Sequence, residues 1–358
     1  MQLLPLDTTH RQLGAVMVPY NGRILPLYYE KIYREHLRVR VAAGITDMSY
    51  LGVIRVNGED AGSYLDARSS REISSLPIGR WRYALFLDES GGILSDALCF
   101  REERGFTLTT PPGGTEALLP HLGSEGGVEV LLDSDTTIIS VLGRKSGIVL
   151  QRFTDVDLPH MASDEVMEGF IGHARVRIVR SAFTGEDTYE IHMKKAHVNE
   201  IWDRITYGGG EVVAPIGAAA MNTLRIEACR PMVGFELALD VNPLEVGLDR
   251  YVDPEREFVG SDRIKAWRHV GAARKLIAVM VDSPRIAWRG TPVLAGEQPV
   301  GSVTTGGPGL TLQRSLALAL VDSNVANVIV GAEVQFSLGK QSVTGVVVKP
   351  PFYKKERR

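Results

Sequence analysis

"RWRYALFLDESGGILSDALCFREE", residues 80–103, decides how the rest of the chain is read. "RWRYALFLD" and "ILSDALCFREE" carry the apolar patterning of strands, and residues 89–92 between them end in two glycines, which reach backbone conformations closed to other residues. A hairpin is predicted. Asp96 stands just past its turn, where a carboxylate is ordinarily a solvated loop residue.

The pattern recurs at 174–193, where "ARVRIVRSAF" and "DTYEIHM" are joined across "TGE" and followed by the helix-like "AHVNEIWDRIT". Upstream, "LYYEKIYREHLRVRVAAGI" has helical apolar spacing with Gly44 as the predicted stop. "GVIRVNG" alternates as a strand, and "GEDAGSYLDARSS" suits a short helix. Strand pairs followed by helices, without regular βαβ alternation, predict an α+β fold. From Lys275 the texture changes to short strands at regular spacing with Gly-rich turns: "KLIAVMVD", "GTPVLAGEQPVGSVTTGG", "SLALALVD", "GAEVQFSLGKQSVTGVVVK". These predict a small all-β barrel or sandwich, with a boundary near residues 265–274. The expected organisation is therefore 1–265 and 274–358, the latter ending in "KKERR" as a solvated tail.

With 358 residues, the chain has room for two or three packed domains. Forty Lys and Arg against 43 Asp and Glu give a formal charge of −3, which supplies no electrostatic basis for binding nucleic acid or an anionic membrane. Cys99 and Cys229 are the only cysteines, too few for a disulfide framework, and a reducing cytoplasm is expected. The opening "MQLLPLDTTHRQLG" lacks the layout of a secretory signal, and no run reaches the roughly 20 apolar residues of a spanning helix. Phosphate-loop, dinucleotide, H-E-x-x-H and C-x-x-C motifs are missing. Of the eight histidines only His192 and His197 are close, and their i,i+5 spacing suits neither a helix face nor a ligand pair, so no metal is expected.

Three further stretches mix charge with turn residues. "FTGEDTYEI" (183–191) places Glu190 on a strand after a tight turn, "LRIEACRPMVGFELALDVNPLEVGL" (224–248) has no clean period, and "VKPPFY" (348–353) closes the barrel. On local physics Glu190 is an outward strand carboxylate and the second stretch a connector. Taken in order with "HRQLGAVMVPYNGRILPLYY", "GITDMSYLGVIRVNG", "GGILSDALCF", "FVGSDRI" and "GSVTTGG", they resemble the T-protein family, the aminomethyltransferases of glycine cleavage and their folate-dependent relatives. The resemblance runs nearly end to end; each motif is loose, and their shared order is what makes it specific.

The resemblance implies a three-domain cloverleaf around a central folate channel, with two interleaved α+β domains within 1–265 and the barrel last. It also implies one-carbon transfer involving tetrahydrofolate. Asp96 matches the family's catalytic aspartate, a fixed carboxylate able to stabilise positive charge and move a proton. Glu190 matches the glutamate that takes the pterin's adjacent amino and ring N–H groups in a bidentate contact. Tyr83 matches a position beside the folate, Met48 and Leu51 a surrounding apolar wall, and Phe183 opens the Glu190 motif as a further cofactor-side residue.

Four positions depart from the family pattern. The first of two aspartates after the glycine pair is Ser95, a histidine is Tyr50, an asparagine aligns with Thr110, and an arginine before "R-x-E-A" is Met221. Methionine cannot replace an arginine that pairs with an anionic group. These changes disfavour the glycine-cleavage reaction with its lipoyl carrier protein as partner and favour a small-molecule donor of a methyl, methylene or aminomethyl group. The iron–sulfur-assembly branch is disfavoured because its K-G-C motif is absent. The alternative is a non-catalytic module that binds folate or another planar ligand on the same scaffold.

Overall fold

The hairpin forms where residues 80–103 place it, as strands Trp81–Leu87 and Ile93–Glu102. Its turn is tied by Asp88, whose backbone N–H donates to the Gly92 carbonyl at 2.9 Å and whose Oδ1 accepts from Ser90 Oγ and from the Gly92 amide. Gly91 has φ +82°, the left-handed region where a side chain would be strained. Gly92 is required for a different reason: a Cβ there would lie 1.9 Å from the carbonyl oxygen of Leu239. The computed structural model describes residues 1–325, 328–339 and 341–355. Of the predicted solvated tail, Lys354 is exposed and residues 356–358 lie outside the described residues.

The chain packs into two compact units that are discontinuous in sequence. The first comprises Met1–Asp66, Glu72–Tyr83 and Ala97–Asn222; the second comprises Ala67–Arg71, Ala84–Asp96 and Thr223–Arg358. The first unit contains a six-stranded sheet in the order Val166–Ile171, Ala174–Ser181, Thr188–Lys194, Thr136–Leu142, Ala43–Asp47, Val213–Pro215, antiparallel except for the last pair. One face of this sheet carries Ile45, Ile139, Val141, Tyr189 and Ile191, and Trp202 and Ile205 of helix Val198–Gly209 pack into the same core. A five-stranded sheet runs in the order Trp81–Leu87, Ile93–Glu102, Gly105–Thr110, Gly52–Asn57, Glu129–Leu132.

In the second unit, six strands from Arg274–Val281 to Gln341–Val348 close into a barrel around Val279, Val293, Val303, Val321 and Phe336. The barrel is tied back to helix Ala218–Glu227: Phe352 packs with Ile226, Leu316 and Leu318, and the Tyr353 amide donates to the Glu227 carbonyl at 2.8 Å. The fold is thus mixed α and β with a C-terminal barrel, as expected. One detail differs: the helix spans Ile32–Val41 and stops before Gly44, which lies inside strand Ala43–Asp47, where a Cβ would press on Ile216 and Val39 at 3.0–3.1 Å. Helix Ser261–Val270 precedes the first barrel strand, Arg274–Val281. Among the described residues no helix is long and apolar enough to cross a membrane.

Gly92→Ala will cost more than about 2 kcal/mol, seen as a lower urea midpoint at unchanged slope, because the obstacle is a backbone carbonyl and not a movable side chain. Burial pushes both the Cys99 and the Cys229 thiols up to about 12. At pH 8 a thiol reagent will therefore react slowly with the native protein and rapidly with both cysteines after unfolding.

Candidate functional site

Opposed residues of an antiparallel ladder share a face, as do residues two apart on one strand. Thr46, Ser140 and Glu190 stand in one row across the six-stranded sheet, and Thr188 and His192 flank Glu190 on the same face. All five are buried, so the sheet has a second interior face that is polar where the first is apolar. Residues of strand Ile93–Glu102 pack there: the Phe100 ring meets His192 edge-on at 5.6 Å, and Glu102 bonds Arg177 at 2.6 Å. Glu190, the outward carboxylate of the local reading, is only 7% exposed. Its Oε1 accepts from Ser181 Oγ at 2.9 Å, and its Oε2 has no hydrogen-bond partner. The Ser140 hydroxyl beside it is likewise unmatched.

Met48, Tyr50 and Leu51 sit on the turn that follows strand Ala43–Asp47. Asp47 holds that turn. Its Oδ1 accepts from the Ser49 amide at 2.8 Å and from the Ser49 hydroxyl, while the Leu51 amide donates to the Met48 carbonyl at 2.9 Å. Behind Asp47 lies a buried chain that the sequence did not reveal: Tyr29 OH to His10 Nδ1 at 2.8 Å, then His10 Nε2 to Asp47 Oδ2 at 2.9 Å. Burial, then Asp47 and Glu35, raise the Tyr29 pKa, so the phenol beside His10 stays protonated. Burial also raises the Tyr50 pKa, with Tyr20, Asp47 and Glu190 adding to it. The Tyr50 phenol therefore stands within electrostatic reach of Glu190, and both belong to the first unit.

The other expected residues are placed less closely. Thr110 ends strand Gly105–Thr110 fully buried, with its hydroxyl 2.7 Å from that of Thr115 and 3.4 Å from the Gly52 carbonyl, so it is engaged within its own neighbourhood. Tyr83 is half-buried on strand Trp81–Leu87, and Phe183 is half-buried in the turn between Ala174–Ser181 and Thr188–Lys194. Met221 is buried in helix Ala218–Glu227, where an apolar side chain fits and an unpaired cation would not.

Asp96 lies in the second unit on strand Ile93–Glu102, half-buried, with Oδ1 shut off from solvent. Alternation along the strand sends Ser95 to the opposite face, where it is fully buried and donates its hydroxyl to the Asp96 carbonyl at 2.9 Å. In the same unit Arg225 and Glu236, both buried, pair at 2.9 Å; Thr304 and Thr305 donate to Glu236 Oε1, and Arg225 Nη2 reaches Thr305 at 3.1 Å. The charges of the 224–248 stretch are in this respect structural, binding the connector to the barrel strand Gln298–Gly309.

The sequence profile of the GCVT N-terminal domain matches residues 6–256, and that of the glycine cleavage T-protein C-terminal barrel domain matches residues 274–354. The chain belongs to the glycine cleavage T-protein family. It is 31% identical to an aminomethyltransferase of Geobacillus thermodenitrificans over 99% of this chain and 98% of that protein. It is 32% identical, with the same coverage, to one from Corynebacterium aurimucosum. The crystal structure of glycine cleavage system aminomethyltransferase T from Bartonella henselae superposes with a TM-score of 0.91 at 25% identity, covering 99% of this chain and 98% of that one.

Ser95 faces the interior, where its hydroxyl is satisfied by the neighbouring carbonyl. Arg225 and Glu236 are the sharper test of the connector. Glu236→Gln removes the buried charge that pairs with Arg225 at 2.9 Å and will destabilise the protein by about 3–5 kcal/mol in urea unfolding.

Proposed function

We propose that this T-protein family member is an enzyme that transfers a one-carbon unit, as a methyl, methylene or aminomethyl group, from a small N-, O- or S-substituted donor to tetrahydrofolate. The observation that supports it is the state of Glu190: a carboxylate held by Ser181 on a buried polar face, with Oε2 making no hydrogen bond and only His192 Nε2 near it, at 3.7 Å. Burying an ionisable group this way costs several kcal/mol unless a ligand meets it. The adjacent N–H groups of a reduced pterin meet that requirement, since each carboxylate oxygen has lone pairs to spare beyond the Ser181 bond. The folate supplies the nitrogen that accepts the one-carbon unit. Glu190 fixes the ring edge, Met48, Leu51 and Phe183 supply apolar surface, and Tyr83 and the protonated Tyr50 offer ring faces or hydroxyls.

Asp96 is assigned the catalytic carboxylate. Partial removal from solvent strengthens its field on positive charge that develops during transfer, and one oxygen can take or return a proton. The aminomethyltransferase names of the full-length relatives support the reaction class. The apolar Met221 and the buried Ser95 support a free small donor over the lipoyl arm of a carrier protein, because both positions lack the charge the family pattern places there.

Calorimetry with tetrahydrofolate is the direct test, followed by transfer assays over a panel of methyl and aminomethyl donors. Glu190→Gln will weaken folate binding roughly 10- to 100-fold, the scale of a charge-assisted pair of hydrogen bonds. Asp96→Asn will keep affinity within about threefold and lose roughly 10²- to 10⁴-fold in turnover. Wild-type protein that binds no tetrahydrofolate at millimolar concentration would sink the proposal. Folate binding without transfer from any donor would favour the binding-module alternative.

A further inference from the structure

His192 lies two residues beyond Glu190 on strand Thr188–Lys194, so both side chains leave the same face of the sheet. Its side chain is 3% exposed, yet neither Nδ1 nor Nε2 has a hydrogen-bond partner. An imidazole ring carries two nitrogens that each seek a hydrogen bond, and each left unmet in the interior is destabilising. The ring is held by carbon contacts: the Phe100 edge at 5.6 Å and 73°, and Ile138 as its ladder neighbour. Nε2 stands 3.7 Å from Glu190 Oε2, which is too long for a hydrogen bond between them. Arg177, its ladder neighbour on the other side, is engaged by Glu102 at 2.6 Å and faces Glu168 at 3.6 Å. Two buried polar atoms therefore lie side by side, each lacking the bond its burial demands.

The geometry points to His192 as a second recognition residue, whose ring N–H donates to an acceptor on the same ligand edge whose donors Glu190 takes. This rests on the folate reading above and adds to it. The ligand class is a planar amino-oxo pyrimidine edge, in which a carbonyl oxygen, a ring N–H and an amino group follow one another. A carboxylate meets the two N–H groups and is repelled by the carbonyl; an imidazole N–H beside it meets the carbonyl. The 3.7 Å separation suits bonds to neighbouring atoms of one edge and no bond between the two side chains. His192 thereby sets specificity for edges that carry the carbonyl, because an edge lacking it leaves the imidazole N–H buried and unmet.

Calorimetric titration with tetrahydrofolate on wild type, His192→Phe and His192→Gln at pH 7.5 tests this, with melting curves to confirm folding. Phe keeps the ring and its contact with Phe100 and removes both nitrogens, so affinity is expected to fall roughly 5- to 30-fold. Gln restores an N–H at similar reach and is expected to return affinity to within about threefold of wild type. A purely structural role would not give this split between two substitutions of comparable size. Equal affinity in wild type and His192→Phe, or equal loss in both variants, overturns the inference while the folate reading stands. Wild type that fails to bind removes that reading and the inference with it. If His192→Phe does not fold, His192→Leu takes its place with the same expected loss.

Discussion

The bond from Ser181 to Glu190 is the interaction on which the site depends, because it fixes a carboxylate on a sheet face that water does not reach. A buried carboxylate is costly in proportion to what it lacks, and this one lacks a hydrogen bond at Oε2. The sheet places Ser140 beside it across the ladder from strand Thr136–Leu142, and strand Ala174–Ser181 supplies the hydroxyl that holds it. The opposite face of the sheet is apolar, with Ile139, Val141, Ile191 and Trp202 buried in one core, and that burial is what favours the folded sheet.

The same division of labour appears around Asp47. Its strand carries it onto the apolar face, where the His10 and Tyr29 chain at one oxygen and the Ser49 amide and hydroxyl at the other make a carboxylate tolerable. In return it holds the Ser49 amide and hydroxyl, and so sets the turn that presents Met48, Tyr50 and Leu51. In the second unit, Arg225 and Glu236 play the comparable part for the connector, and Asp88 plays it for the hairpin turn. Each is a buried or partly buried charge whose partners are backbone groups or side chains that the fold itself brings up.

Much of this was legible from residue order. Both hairpins, the helix after the second one and the barrel strands follow from alternation and turn chemistry, and they form as those signals require. Gly44 misled because a glycine after a helical stretch looks like a stop, whereas here it is small to fit beneath Ile216 and Val39 within a strand. Helix Ser261–Val270 went unread beside the change to barrel texture. Along the chain His192 has His197 as its nearest histidine, at a spacing that pairs it with nothing. Its relation to Glu190 follows the strand period of two, a signal that "EIH" carries and that a search for metal-ligand spacing does not catch.

By itself the sequence determined the α+β class with a terminal barrel, through local periodicity and turn residues, and the family, through the order of its motifs. It also placed Asp96 and Glu190 on their strands. Only the tertiary structure decided that Glu190 and His192 are buried with unmatched polar atoms, that Ser95 faces inward away from Asp96, and that Thr110 is engaged by Thr115. The reason is that an alternating strand specifies two faces without saying what covers them. Whether its polar face meets water or other parts of the chain, such as Phe100 and Glu102, depends on residues distant in sequence.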